Sequence, residues 1–580
     1  MISIVIEHKN ERLFKLNNIN SYLEKKTLNI DNNWYHRIIL EYNISERGRN
    51  GDISMLLRLS VENYKSFDQK EELSLISSSK IQTNKNHRVK LKQTNVLKNA
   101  VVYGANASGK SNLVKAIAFI KSVLIEGLPV NSCDDFCRNS LDNKNRESAF
   151  ELQFTVGDKF YAYGFSVVLS QRIIVEEWLY ELMQDGSAHN LFIREKDKAP
   201  VLSESLRLNA TEKNRFLVYA NDFAGHDTML FLSEMNRGKK YEDDSKLLFF
   251  KETFDWIINH IIVINPNIGI SSSDAYYSEE SLGNINSLIR TFDTGVSEIK
   301  TKQISIEEMS KMLPKEVLTE IFSTLKKQMQ TTNLPELKLT WRIEDGFFNI
   351  RIKNDGDVEI TTLVLKHGKS IFDFSFDEES DGTKRLFDLV DMLLVKNEDM
   401  LFVVDELERS LHPKLTQHFL KLFMEVHSDD RVQLIFTTHE DTIMDQELFR
   451  RDEIWFVERD SFNSSKIYSL DRFKERYDKK LSKAYLEGRY GAIPVFKQFN
   501  FLDKEDRWCQ FMYIQIGTKD SLIWKNRLNH LENISLFVKV PILKVSTLKT
   551  YWFKKRIRNT SSYRCLFFGK DRDWQEHIFP

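Results

Sequence analysis

Eight consecutive residues, Gly104-Ala105-Asn106-Ala107-Ser108-Gly109-Lys110-Ser111, have the types and spacing to hold a polyphosphate. They spell G-x-x-x-x-G-K-S, the P-loop pattern. Glycines let the backbone wrap an anion, so that successive N–H groups and the N-terminus of the next helix point at phosphate oxygens. Lys110 is placed to reach β- and γ-phosphates, and the Ser111 hydroxyl to ligate Mg²⁺. The context agrees. An apolar strand candidate, Ala100-Val101-Val102-Tyr103, leads into the loop, and Leu113, Ile117 and Ile120 follow at helical spacing. An ordinary Gly/Ser turn before a helix is the alternative, and motif and context together disfavour it.

Hydrolysis at such a loop needs one carboxylate beside the metal and another to activate water. Met400-Leu401-Phe402-Val403-Val404-Asp405-Glu406 offers both, at the end of an apolar run of the kind buried on both faces of a parallel sheet. Asp405 is assigned to the metal and Glu406 to the general base. Downstream, Gln433-Leu434-Ile435-Phe436-Thr437-Thr438-His439 reads as a strand ending in a histidine. Alone, His439 would be an ordinary strand-end residue; one strand after Asp-Glu, it is better read as a sensor of the γ-phosphate. Upstream, Ser380-Asp381-Gly382-Thr383 is a small-residue turn opening an amphipathic helix (Leu386, Val390, Leu393, Leu394), again an anion-binding geometry. Lys110 and Asp405 stand far apart in the chain, so a large insertion separates the two halves of one site.

The elements that must position these groups begin at Met55. Leu57 to Phe67 alternates like a half-buried strand and then turns; residues 1–54 carry no readable motif and are either an extension or a misassigned start. From 148 to 183 the pattern has period two, with Gly157-Asp158 as a hairpin turn. Residues 205–265 are helical in pattern, ending in the Ile261–Ile264 run, and 268–300 are polar and loop-like. Pro314 opens an amphipathic helix through Val317, Ile321 and Leu325, and strands return at 337–353. No internal repeat and no sustained heptad pattern is present. The expected organisation is an N-terminal extension (1–54), an ATPase N-terminal lobe with a β arm (55–200), a mainly helical insertion (201–335), an ATPase C-terminal lobe (336–496) and a basic, aromatic-rich tail (497–580).

The 580 residues exceed what one compact core accommodates. A net charge of −1 provides no global attraction to DNA or membrane, so such a site would have to be local. No apolar run approaches the roughly 18–20 residues of a membrane span, and Met1 to Lys9 meets charge too early for a signal peptide. A cytoplasmic protein without a membrane partner is expected. Cys133 and Cys137 are close, but no second Cys/His pair completes a zinc site; with Cys509 and Cys565 they are expected to be buried free thiols. Four of the nine tryptophans (508, 524, 552 and 574) fall in the tail beside the basic run Tyr551 to Arg558, which suits either nucleic-acid contact or, more plainly, a solvated docking surface. Asp571-Arg572-Asp573 resembles the paired carboxylates of Toprim nucleases, yet no glutamate-ended strand upstream completes that site, and no nuclease is assigned.

Taken together these motifs resemble the SMC/RecF-like branch of ABC-type ATPases, and within it the AAA-family ATP-binding proteins of prokaryotic defence and abortive-infection loci. The resemblance covers about residues 55–496. It rests on Asn63-Tyr64-Lys65-Ser66-Phe67, the P-loop, Ser380 to Thr383, Asp405-Glu406 and the loop after it, His439, and Tyr485-Leu486-Glu487-Gly488-Arg489-Tyr490-Gly491-Ala492-Ile493-Pro494. It implies an α/β fold, a P-loop ABC-type ATPase head with a mixed sheet, a β-rich arm and an inserted helical lobe, with ATP and Mg²⁺ as cofactors. It adds Lys65 and Asn112 to the nucleotide-contacting set. It makes Ser380, Asp381 and Gly382 the signature motif that binds the γ-phosphate held by a partner's P-loop. Glu408 to His412 becomes the loop crossing the interface of a head-to-tail homodimer that sandwiches two ATP molecules. Asp381 stands where the commoner signature has glycine, and Thr383-Lys384 where glutamine usually follows. The family's Q-loop glutamine has Gln153 as one candidate, an exposed strand glutamine being the equal alternative. The expected function is an ATPase that gates an effector, a nuclease or toxin, in anti-phage defence. The alternative is a RecF/SMC-type repair ATPase clamping DNA. A switch that scarcely turns over is disfavoured by Glu406, and a transporter ATPase by the large insertion.

Overall fold

A computed structural model of the chain describes residues 53–493, apart from 93, 266–278, 313–317, 320, 324–335, 344–345, 354–356, 396–398 and 474–479, together with three strands within 551–579. The chain divides into two compact units, Met1–Pro494 and Val495–Pro580. In the first, β1 (Met55–Glu62) and β2 (Glu71–Ser74) pair antiparallel, and β3 (Arg88–Lys90) and β4 (Asn95–Leu97) form a small ribbon of their own. β5 (Asn99–Tyr103) runs into the P-loop and helix α1 (Lys110–Glu126). Four long strands follow, β6 (Ser148–Val156), β7 (Lys159–Val168), β8 (Ile173–Leu182) and β9 (Ala188–Glu195), then the short β10 (Val201–Leu202). Helices α2 (Ala210–Phe223), α3 (Phe231–Asn236) and α4 (Leu248–Asp255) lead to β11 (Ile261–Ile264). Next come α5 (Glu279–Ile289), β12 (Val296–Ile304), α6 (Ile306–Met312), β13 (Glu336–Ile343), β14 (Gly346–Lys353), β15 (Val358–His367) and β16 (Phe374–Ser375). The last part alternates α7 (Asp381–Leu393), β17 (Leu401–Val404), α8 (Pro413–Val426), β18 (Gln433–Thr437), β19 (Ile454–Arg459), β20 (Ser465–Ser469) and α9 (Leu481–Leu486).

Three larger sheets are formed among the described residues of the first unit. The arm is an antiparallel sheet in the order β10-β9-β8-β7-β6-β1-β2. The central sheet, β11-β17-β18-β5-β19-β20, is parallel except for its last strand. A third, antiparallel sheet has the order β12-β15-β14-β13, with β16 added on β15.

The central sheet lies between two hydrophobic cores because successive side chains of a strand point to opposite faces. Ala100, Val102, Leu401, Val403, Ile435, Trp455 and Val457 join the core that contains α1 and the arm. The intervening Val101, Tyr103, Phe402, Val404, Leu434, Phe436 and Phe456 join the core built on α7 and α8. Two buried polar groups fasten other parts to this frame. Gln433 accepts from the Leu56 N–H (2.7 Å) and donates to the Leu56 and Leu97 carbonyls (3.1 and 2.9 Å). Glu177 accepts from the Tyr163 hydroxyl (3.0 Å) and from the Phe231 and Leu232 N–H groups that open α3 (2.6 and 3.0 Å), tying the helical layer to the arm.

Several expectations are corrected. Residues 201–335, expected to be mainly helical, also contribute strands. Their Ile261–Ile264 run is a strand of the central sheet paired in parallel with β17, since a short continuous apolar run suits a strand buried on both faces. The 268–300 stretch is not a loop where it is described. It holds α5, anchored by buried Ile285 and Ile289, and the start of β12. Asn286 locks the two together, accepting from the Ile299 N–H (2.5 Å) and donating to its carbonyl (3.1 Å). The polar composition hid a helix held by tertiary packing. β1 is not half-buried; six of its eight residues are buried, because it lies inside the arm sheet between β6 and β2. Cys137 is buried but Cys133 is only half-buried. Residues 1–52, Pro314, Cys509 and Asp571 to Asp573 lie outside the described residues. In the second unit, β21 (Tyr551–Phe553), β22 (Tyr563–Phe568) and β23 (Trp574–Phe579) form an antiparallel ribbon.

Candidate functional site

The P-loop wraps the end of β5 in a backbone path that few side chains tolerate. Gly109 has φ +116, and a Cβ there would meet the Ser66 and Ser465 hydroxyls; at Gly104 it would meet the Val457 carbonyl. Glycine is required at both places for close approach. The Lys110 ammonium donates to the Gly104 and Ala105 carbonyls (2.8 and 3.2 Å) and lies 3.4 Å from His439 Nδ1. Burial pushes Lys110 down to about 8, against the upward pull of Glu408, Asp405 and Glu406.

The carboxylates arrive from the neighbouring strand ends. Asp405 Oδ1 accepts from the Ser111 hydroxyl (3.1 Å) and from Thr437 Oγ1 (2.6 Å). Thr437 in turn accepts the Glu406 N–H at 2.8 Å, so one buried hydroxyl ties the Asp405 carboxylate to the Glu406 backbone. Glu406 itself has φ +48, an unfavourable backbone region for a non-glycine residue. Arg385, reaching over from α7, donates to the Asp405 and Glu406 carbonyls (3.2 and 3.1 Å). The Asp405 N–H donates to the Ile264 carbonyl at 2.9 Å, which gives β11 a direct part in holding the site. Glu408 accepts the His439 N–H at 2.6 Å; burial pushes its carboxyl up. Burial, followed by the Lys110 charge, holds the His439 imidazole below its ordinary value, so it is neutral at pH 7.

These groups surround one cavity of about 650 Å³, lined by Asn106 to Asn112 and by Glu406, Glu408, Arg409, His439 and Arg459. That volume suits a small-molecule ligand. Among the described residues no group of three or more His, Cys, Asp or Glu could hold a metal. The Ser111 and Asp405 oxygens fit Mg²⁺ nonetheless, because that ion takes one or two hard oxygen ligands from the protein and the rest from water and phosphate.

The sequence-predicted residues thus separate into two sets. Gly104 to Asn112, Asp405, Glu406 and His439 come together. Lys65 does not reach the cavity lining: its ammonium is 2.6 Å from Asp135 Oδ1 in an ion pair. Its neighbour Ser66 is the useful member of that turn, accepting from Asn112 Nδ2 at 2.8 Å. Gln153 stands on β6, donating to Glu151 Oε1 (3.0 Å), and does not line the cavity either. Ser380, Asp381 and Gly382 form the capped start of α7, Ser380 Oγ accepting the Thr383 N–H at 3.1 Å. They also lie off the cavity lining, packed instead against the Glu408–His412 loop, where a Gly382 Cβ would be 2.7 Å from the Ser410 carbonyl. Tyr485 to Ala492 closes an aromatic stack beneath the P-loop strand: Tyr485 lies 5.8 Å from Tyr103 and Tyr490 5.8 Å from Phe456, ring centre to ring centre. Sequence reasoning missed Thr437 and Arg385 as positioning groups and Arg459 as a lining residue.

This fold and this cavity define a P-loop ATPase domain. Within that class, residues 100–445, more than half of the chain, match the family described as AAA domain, putative AbiEii toxin, Type IV TA system, and the protein belongs to that family. A comparison with curated proteins finds no match. Similar solved structures include an SMC head bound to the C-winged helix domain of ScpA, with 15% identity and TM-score 0.31, covering 74% of this chain and 99% of that one. The SMC head domain from Thermotoga maritima has 14% identity and TM-score 0.29, covering 72% and 98%. Among the described residues no helix is long and apolar enough to cross a membrane.

Proposed function

We propose that this protein binds ATP with Mg²⁺ in the P-loop cavity and hydrolyses it to ADP and phosphate. A second copy pairs with it head to tail around two ATP molecules, and the nucleotide state gates a bound effector, a nuclease or toxin, in cytoplasmic anti-phage defence of the abortive-infection kind. The observation that carries the reading is the convergence of Lys110, Ser111, Glu406 and His439 on one cavity, with Asp405 hydrogen-bonded to Ser111, from three neighbouring strand ends.

The chemistry follows from the placement of these groups. P-loop N–H groups and Lys110 hold the β- and γ-phosphates, and a proton on Lys110 is favoured once anionic oxygens replace the carbonyls it now contacts. Ser111 and Asp405 would hold Mg²⁺, which when bound neutralises charge on the transferring phosphoryl group. Glu406 takes a proton from the attacking water, its backbone fixed by Thr437 and Arg385. Neutral His439 donates a hydrogen bond to the terminal phosphate while Glu408 holds its main chain. The signature turn and the Glu408–His412 loop, packed on each other, form one surface for the partner's γ-phosphate.

The test is recovery of the Glu406→Gln protein from its own host with ATP present, identifying bound protein and nucleic acid together. A stoichiometric nuclease or toxin-like protein supports the gated-effector reading. DNA alone, with no protein partner, overturns it in favour of a DNA clamp.

A further inference from the structure

The P-loop strand has a different neighbour on each side. β18 flanks β5 on one side and leads to His439, and β17, with Asp405 and Glu406, lies beyond β18. β19 flanks β5 on the other side and ends at Arg459. A nucleoside polyphosphate whose terminal phosphate meets Lys110, Glu406 and His439 must therefore run its nucleoside end toward β19. Arg459 is the cation on that side of the cavity.

Arg459 is held there. The β19–β20 ribbon is bonded to the P-loop, the Ser465 hydroxyl donating to the Ser108 carbonyl and the Ser465 N–H to the Ser66 carbonyl (2.8 Å). Across the turn, Asn463 Oδ1 accepts from Arg459 Nη1 and orients the guanidinium. Among the described residues no carboxylate forms an ion pair with Arg459, whereas Lys65, the basic residue of the nearby Asn63–Phe67 turn, is neutralised by Asp135.

We propose that Arg459 binds the α-phosphate of the nucleotide and is the cation at its nucleoside end. The inference rests on the reading of the cavity as an ATP site. An α-phosphate is common to ATP and ADP, so the contact serves both ligands, unlike the γ-phosphate groups on the opposite side.

Titration calorimetry of the full chain with ATP and with ADP, both with Mg²⁺, decides it. Arg459→Ala is expected to weaken both nucleotides by the same factor, on the order of 10- to 100-fold as for loss of a charged hydrogen-bond partner. Arg459→Lys recovers part of the loss, and Lys65→Ala binds both normally. The Arg459 side chain is exposed, and an unchanged melting curve for Arg459→Ala checks that its fold is intact. Unchanged binding by Arg459→Ala, or a loss for ATP alone, overturns the proposal, the second result placing Arg459 at the γ-phosphate. Lys110→Ala separates the two levels. If it abolishes binding while Arg459→Ala does not, only the Arg459 assignment falls; if it binds ATP normally, the ATP-site reading falls.

Discussion

Thr437→Val removes one hydroxyl and changes little else in shape. Thr437 is fully buried; it donates to Asp405 Oδ1 at 2.6 Å and accepts the Glu406 N–H at 2.8 Å. Valine leaves a buried N–H without its acceptor, at a cost of about 1–3 kcal/mol, and deprives a carboxylate of a donor, at a further cost of about 1.5–3 kcal/mol. Partial relaxation lowers the sum, so a stability loss of about 2–4 kcal/mol is expected, within the roughly 5–15 kcal/mol of a folded domain. The same groups set the position of Glu406, whose φ of +48 is retained only while its surroundings enforce it. If the hydrogen bond to Asp405 persists through turnover, its loss lowers kcat by about 10- to 100-fold, with ATP affinity little changed because the P-loop is untouched. Thr437→Ser keeps both bonds and should restore most of the rate. Urea denaturation and steady-state ATPase kinetics are the assays. A Thr437→Val protein with normal midpoint and normal kcat would refute the claim that this hydroxyl holds Asp405 and the Glu406 backbone in register.

Lys110 gives a pH signature. Its value of about 8 in the free protein lies below the ordinary lysine value, and bound phosphates restore the proton, so ATP binding takes up a proton as the pH passes 8. Affinity should fall by up to about tenfold per pH unit between about pH 8 and pH 10, and calorimetry in buffers of different ionisation enthalpy should detect the proton. Flat affinity over that range would contradict the buried-lysine account. Glu177→Ala orphans three donors and leaves the Arg194 charge largely buried, so it should cost about 3–5 kcal/mol in chemical denaturation; a loss below about 1 kcal/mol would show that the clamp between arm and helical layer is dispensable.

The parts of this site that were legible in the sequence are those written contiguously. Ala100 to Ser111 and Met400 to Glu406 each combine an apolar strand with the residue types its end must carry, so local pattern and chemistry coincide. Thr437, Arg385 and Arg459 were not legible, because their roles depend on which strands become neighbours. The order β17-β18-β5-β19 puts Thr437 under Asp405 and Arg459 beside the P-loop, and no local pattern records that order. β11 was hidden for a related reason: four apolar residues after a helix look like its continuation until they pair with β17. Lys65 shows the converse. A motif named a residue type, but the Asp135 carboxylate captures its charge.

In the proposed cycle ATP in this cavity joins two copies of the chain, and Glu406 releases them by hydrolysis. Sedimentation of the Glu406→Gln protein with and without ATP and Mg²⁺ tests it most directly. The expected result is a monomer without nucleotide, a stable dimer carrying two ATP molecules with it, and no dimer when Lys110→Ala is added. A Glu406→Gln protein that binds ATP but remains monomeric at every protein concentration would contradict it.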